Sequence, residues 1–168
     1  MSRLKGVNGW GLSLGVVLLP MLIATSVYAE EVVSSHMDVY QVIQKQGVET
    51  FQPASNVRPN ETLEYRISYV NHGTAPVKNL VVNGPVPAGT VFVASSARSD
   101  APADIRYSLD HGHVWQEAPL KKRVVAANGS ATEVVVPPEQ YTDVEWIAKE
   151  LLRPGKAQVY TYRVKVRP

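Results

Sequence analysis

The densest run of chemistry-bearing side chains in this 168-residue sequence is Ser108-Leu109-Asp110-His111-Gly112-His113-Val114-Trp115. His111 and His113 stand two apart, so on an extended strand their imidazoles share one face. With Asp110 or His72 beside them they offer the donor types that bind Zn²⁺ or Cu²⁺. Two histidines without an assignable third ligand make a poor site, and exposed turns collect polar residues anyway, so no metal and no other cofactor is expected. The same run has a purely local use. Asp110 can accept backbone N–H bonds of a turn, Gly112 can take a positive φ, and Trp115 can pack beneath the hairpin.

Other chemistry finds fewer footholds. No serine sits in a G-x-S-x-G turn, and there is no cysteine to act in its place. Asp100, Asp104, Asp110, Glu117, Asp143 and Glu145 are spread along polar positions instead of converging as an acid–base pair needs. An enzyme is therefore not expected. Lys121-Lys122-Arg123 precedes a short apolar strand; it can attract an anionic partner, or discourage strand-to-strand aggregation at a sheet edge. Trp115 and Trp146 are candidate ligand or partner contacts, because a flat indole stacks on sugars and small rings.

The elements that must hold these residues are strands. Leu63, Tyr65, Ile67 and Tyr69 alternate with Glu64, Arg66 and Ser68, and Tyr160, Tyr162, Val164 and Val166 alternate with Thr161, Arg163, Lys165 and Arg167. Period two marks strands with one face on a core and one in water. Further short strands are expected at Met37–Gln44, Val77–Val82, Val91–Val93, Ile105–Leu109, Val124–Val125, Glu133–Val136 and Tyr141–Ile147. Turn chemistry separates them, including Asn71-His72-Gly73, Asn83-Gly84-Pro85, Asp110-His111-Gly112, Asn128-Gly129 and Pro154-Gly155. The one helical candidate, Ala148–Leu152, is too short to found a layer. The pattern predicts an all-β domain over residues 37–168, a two-sheet antiparallel sandwich of about seven to nine strands. Residues 30–36 have little pattern and read as a flexible leader.

Ahead of them, Arg3 and Lys5 precede an uncharged stretch from Gly11 to Ala24 of about 14 residues, which ends at Ser26-Val27-Tyr28-Ala29. That order is the n-, h- and c-region of a secretory signal peptide over residues 1–29, with a cleaved signal helix and a cut after Ala29. The apolar stretch falls short of the roughly 20 residues that a spanning helix needs, so no stable membrane span is expected after cleavage. The expected location is the periplasm or the medium. Removing the signal removes Arg3 and Lys5 and leaves basic and acidic residues equal, 15 of each. A neutral chain without a basic stripe argues against nucleic acid as a partner. Without cysteine, stability must come from the core and the sheet.

Pro59-Asn60-Glu61-Thr62-Leu63-Glu64-Tyr65-Arg66-Ile67, Val70-Asn71-His72-Gly73-Thr74-Ala75, Pro85-Val86-Pro87-Ala88-Gly89-Thr90, Val144-Glu145-Trp146 and Leu152-Arg153-Pro154-Gly155, in that order, resemble bacterial DUF11-type repeat domains. The resemblance covers residues 37–167. It implies an immunoglobulin-like sandwich and a non-enzymatic role at the cell envelope, with another envelope or surface protein as partner. The chain departs from that pattern in carrying Asn83 where an aspartate is frequent and in having a single copy. The run from Ser108 to Trp115 resembles the Asp-box hairpin of sialidase-like propellers, here as one copy on a chain too short for a propeller. A structural or protein-interaction module is the leading expectation; a carbohydrate or small-ligand binding module with exposed aromatics is the alternative.

Overall fold

A computed structural model of the chain describes residues 32–127 and 129–168. The signal peptide over residues 1–29, its helix and its cut after Ala29 lie outside them. The described residues form eleven strands: β1 (Val33–Lys45), β2 (Val48–Pro53), β3 (Thr62–Asn71), β4 (Val81–Pro85), β5 (Thr90–Phe92), β6 (Arg98–Ser99), β7 (Ala103–Ser108), β8 (Lys121–Val125), β9 (Ala131–Val135), β10 (Asp143–Ala148) and β11 (Ala157–Val166). All pairings are antiparallel. No helix among the described residues is long and apolar enough to cross a membrane.

The largest sheet has the order β2-β1-β3-β11-β5, with β6 also on β11; a second has the order β4-β10-β7; β8 and β9 pair with each other alone. The two most regular sequence patterns lie at the centre of the first sheet. Tyr65 faces Tyr162, Ile67 faces Tyr160 and Leu63 faces Val164 across the β3–β11 register. In β10 the alternate residues Val144 and Trp146 meet them, with the Trp146 ring 5.8 Å from Tyr160 and 6.0 Å from Tyr162. These five side chains from β10 and β11, Val144, Trp146, Tyr160, Tyr162 and Val164, have no exposed surface. Burying rings of this size is the main source of stability open to a chain without disulfides.

Several elements differ from the sequence expectation. Strand β1 starts at Val33, so residues 33–36, which the sequence pattern assigns to a flexible leader, are hydrogen-bonded strand opposite β3. Their pattern is weak because the strand there is open to solvent on its outer side. Asn83-Gly84-Pro85 is not a turn but the end of β4, paired with Glu145, Val144 and Asp143. Gly84 is required by close approach: a Cβ there would stand 2.7 Å from Cε1 of Tyr162 and 3.1 Å from Cγ1 of Val144. The Tyr162 hydroxyl donates to the Pro85 carbonyl at 2.6 Å, which fixes the ring over the glycine. Ala148–Leu152 is not helical; Ala148 ends β10, and Leu152 makes a bridge with Val77.

The outer face of β3 also differs. Glu64 and Arg66 read as a wet face, yet Glu64 is buried. Its carboxylate accepts from Arg66 Nε and Arg163 Nε, each at 2.8 Å, and Arg163 reaches on to Glu49. The Arg66 guanidinium lies 4.5 Å from both the Tyr40 and Phe51 ring centroids, so the β1–β2 hairpin covers this face through stacked cations. Asn71 is a second buried polar centre. Its Nδ2 donates to the carbonyls of Ala75 (2.8 Å) and Leu152 (2.9 Å), and its Oδ1 accepts from Gly73 N (2.9 Å).

Candidate functional site

The run Ser108–Trp115 closes on itself. Asp110 Oδ1 accepts from Ser108 Oγ at 2.7 Å and from Val114 N at 2.9 Å, while Ser108 Oγ accepts from the N–H groups of Asp110 and Gly112. The Ser108 hydroxyl, followed by the Val114 amide, holds the Asp110 carboxyl below the usual carboxylate range. Gly112 sits at φ +83°, with Trp115 against the position its Cβ would take. Thr142 Oγ1 accepts from His111 N and ties the turn to the chain entering β10. The carboxylate expected beside His111 and His113 is thus committed to the turn. Among the described residues no group of three histidine, cysteine, aspartate or glutamate side chains is placed to hold a metal ion.

Ser34 Oγ and His72 Nε2 lie 2.7 Å apart. Both are at the surface, and among the described residues no carboxylate hydrogen-bonds His72. Glu145 is buried in an ion pair with Arg106. Trp146, offered from sequence as a ligand or partner contact, is fully enclosed between β10 and β11, so it cannot serve as a stacking platform. Trp115 is half-buried beside Gly112. The two indoles do not share a groove-facing role.

Lys121, Lys122 and Arg123 lie in a strand with every residue exposed. They form β8, whose antiparallel partner is β9 through the register Lys121–Val135, Arg123–Glu133 and Val125–Ala131. All ten residues of the two strands are exposed. The sequence explains this ribbon: Val124-Val125 and Val134-Val135 break the period of two, which places a valine on each face and gives neither face to the core. Val125 and Val135 are 64% and 56% exposed. At the root, Leu120 and Val136 are buried, joined by the bond from Val136 N to Leu120 O at 2.8 Å. Beyond them the ribbon stands free of the two larger sheets.

The hydrogen-bond parity of the ribbon follows from its ends. Val136 N donates to Leu120 O, and Ala126 N donates to Ser130 O. In an antiparallel pair the bonded residues alternate, so Lys122 and Val124 face Val134 and Thr132 with their peptide groups. The peptide groups of Lys121, Arg123 and Val125 point outward from β8, and those of Ala131, Glu133 and Val135 point outward from β9. Neither outward edge is paired with another strand among the described residues.

Next to the root is a cavity of about 320 Å³ lined by Phe92, Tyr107, Tyr141, Ala94, Pro119 and Pro138. Its three rings form one cluster, with centroids 5.0 Å apart for Tyr107 and Tyr141 and 5.3 Å for Phe92 and Tyr107. Burial, foremost, pushes the Tyr107 phenol up. The Tyr141 hydroxyl accepts from Leu120 N at 3.3 Å and so connects the cavity wall to the start of β8. Sequence reasoning missed this cavity. The signal for it was Pro119 before β8 and Pro137-Pro138 after β9, which fix the chain on both sides of the ribbon.

A larger cleft of about 360 Å³ lies elsewhere, lined by Asp100, Glu150, Arg153, Lys156 and Gln158 among others. Its charges are of both signs, and Asp100 Oδ1 is occupied by Val159 N at 2.9 Å. The ribbon and the aromatic cavity are therefore the better site. Comparison with known proteins finds no matching protein family, no similar curated protein and no similar solved structure.

Proposed function

We propose that this chain is an exported, non-enzymatic protein-interaction module of the bacterial cell envelope, built as an immunoglobulin-like sandwich that binds another envelope or surface protein by strand addition to the β8–β9 ribbon. One observation carries the reading: two five-residue strands with exposed valines on both faces stand out from the body, with neither outward peptide edge paired to another strand among the described residues. An isolated two-stranded ribbon is marginal in water, and bare edges invite another strand. The sandwich assignment draws support from the rings of β10 meeting those of β11, and from the DUF11-type resemblance of residues 37–167. Export rests on the signal-peptide pattern; sequencing the N-terminus of the protein from the periplasm or medium should give Glu30 as the first residue.

The interaction is tested by placing a photo-crosslinking amino acid at Val125 or Val134 in cells that make the full chain, with exposed Lys78 as the control position. A discrete adduct from the ribbon positions, absent from the control, is the expected result. No adduct at either ribbon position, or the same adduct at all three, would remove this reading.

A further inference from the structure

We propose that the occupant of the ribbon is an extended acidic segment that pairs with the β8 edge and seats an apolar or aromatic residue at its C-terminal end in the cavity of Phe92, Tyr107, Tyr141, Pro119 and Pro138. This rests on the interaction reading above and specifies the partner's chemistry.

Three observations select that occupant. The first is charge: Lys121 is paired with Glu133 at 3.7 Å, whereas Lys122 and Arg123 have no ion pair among the described residues. This is a local excess of positive charge beside a free edge. Successive side chains of β8 alternate faces, so an incoming strand with carboxylates at alternate positions on the face of Lys121 and Arg123 meets both of these cations, and one with lysines there meets repulsion. The second is the peptide edge of Lys121, Arg123 and Val125, which offers N–H and C=O groups at the spacing of a strand. The third is continuity, since Pro119 lies two residues before Lys121 and lines the cavity. Antiparallel addition is the more stable pairing, and it brings the C-terminal end of the guest to the start of β8, beside that cavity. Proline and tyrosine walls suit a flat or branched apolar side chain, because they supply contact area without charge.

Pairing by a second copy fits less well. A two-fold β8–β8 contact sets Arg123 of each copy near the other, and a two-fold β9–β9 contact does the same with Glu133; like charges facing across strands destabilise the pair.

The test uses the full chain purified after export and a fluorescein-labelled peptide of alternating glutamate and valine that ends in phenylalanine, read by fluorescence anisotropy. Two companion peptides carry lysine for every glutamate, or N-methyl groups on alternate peptide bonds. The acidic peptide should bind, the lysine peptide at least about tenfold more weakly, as two lost charge pairs would give, and the N-methylated peptide not measurably. A Lys122→Glu, Arg123→Glu double variant and an Ala94→Trp variant, which fills the cavity mouth, should each weaken binding of the acidic peptide. All of these positions are exposed, and circular dichroism checks that both variants fold. Equal binding of the acidic and lysine peptides, binding indifferent to both variants, or no binding at all overturns the acidic-strand inference. None of these touches the ribbon crosslink, whose own failure would remove the interaction reading even if the peptide bound.

Discussion

Val144 and Val134 lie ten positions apart, each in an antiparallel strand and each beside a glutamate, yet Val144 is completely buried and Val134 is 44% exposed. Val144 belongs to a strand whose alternate residues, with Trp146, face the rings of β11, and whose other neighbours are paired on both edges by β4 and β7. Val134 belongs to a strand paired on one edge and covered on neither face. The interior is held by the chain's own burial. The ribbon is held by its root and by one ladder, which leaves its remaining bonding capacity for another molecule. Stability is carried by the buried strands and, in the proposed function, recognition by the ribbon, so damage to one should spare the other.

The largest effect should come from Trp146→Ala, which empties the centre of the interior and removes its contacts with Tyr160 and Tyr162. A loss of about 3–5 kcal/mol is expected, measured by denaturant unfolding. Retention of near-normal stability would mean that the ring is not the keystone of the contact between β10 and β11.

Alkali should break the same region next. Burial, ahead of all other causes, pushes the Tyr160 phenol up to about 12 and raises Tyr162 as well. In the unfolded chain these phenols titrate near 10, so above that pH the folded form holds more protons. Stability is fully present below pH 10 and falls as pH rises towards 12. Phenolate absorbance followed together with circular dichroism should show the buried tyrosines ionising with unfolding and not before it.

Gly84→Ala should cost about 1–3 kcal/mol, because the new methyl meets a Tyr162 ring that its own hydroxyl bond holds in place. The smallest effect belongs to the ribbon. Val134→Ser should change stability by no more than about 0.5 kcal/mol while lowering the yield of the partner crosslink at Val125. A large stability loss there would show that the ribbon belongs to the body after all and would collapse the contrast.

How much of this was legible in the sequence follows the same divide. Strands β3 and β11 were readable because each shows period two over ten residues with one apolar face. The turn chemistry at Asp110 was readable because the bonds made by its carboxylate and by the Ser108 hydroxyl all fall between Ser108 and Val114. What escaped depended on contacts distant in sequence. Asn71-His72-Gly73 and Leu152-Arg153-Pro154-Gly155 stood out as motifs. Their connection, the Asn71 side chain donating to Leu152 O across 81 positions, is invisible locally. Glu64 read as solvated because nothing nearby announces that Arg163, 99 positions away, will cover it. Gly84 read as a turn residue because the Tyr162 ring that requires it arrives from the far end of the chain. Lys121-Lys122-Arg123 stands out in the sequence for its charge, but its place on a free-standing ribbon depends on β8 and β9 having no third strand beside them among the described residues.

Amide hydrogen exchange of the full chain, with and without the glutamate–valine–phenylalanine peptide, probes whether the ribbon keeps an open edge for an acidic strand, as proposed. The outward amides of Lys121, Arg123 and Val125 should exchange rapidly in the free protein and become protected at saturating peptide, while those of Ala131, Glu133 and Val135 stay fast. Protection of the β8 amides without peptide, or no gain in protection with it, would contradict the claim.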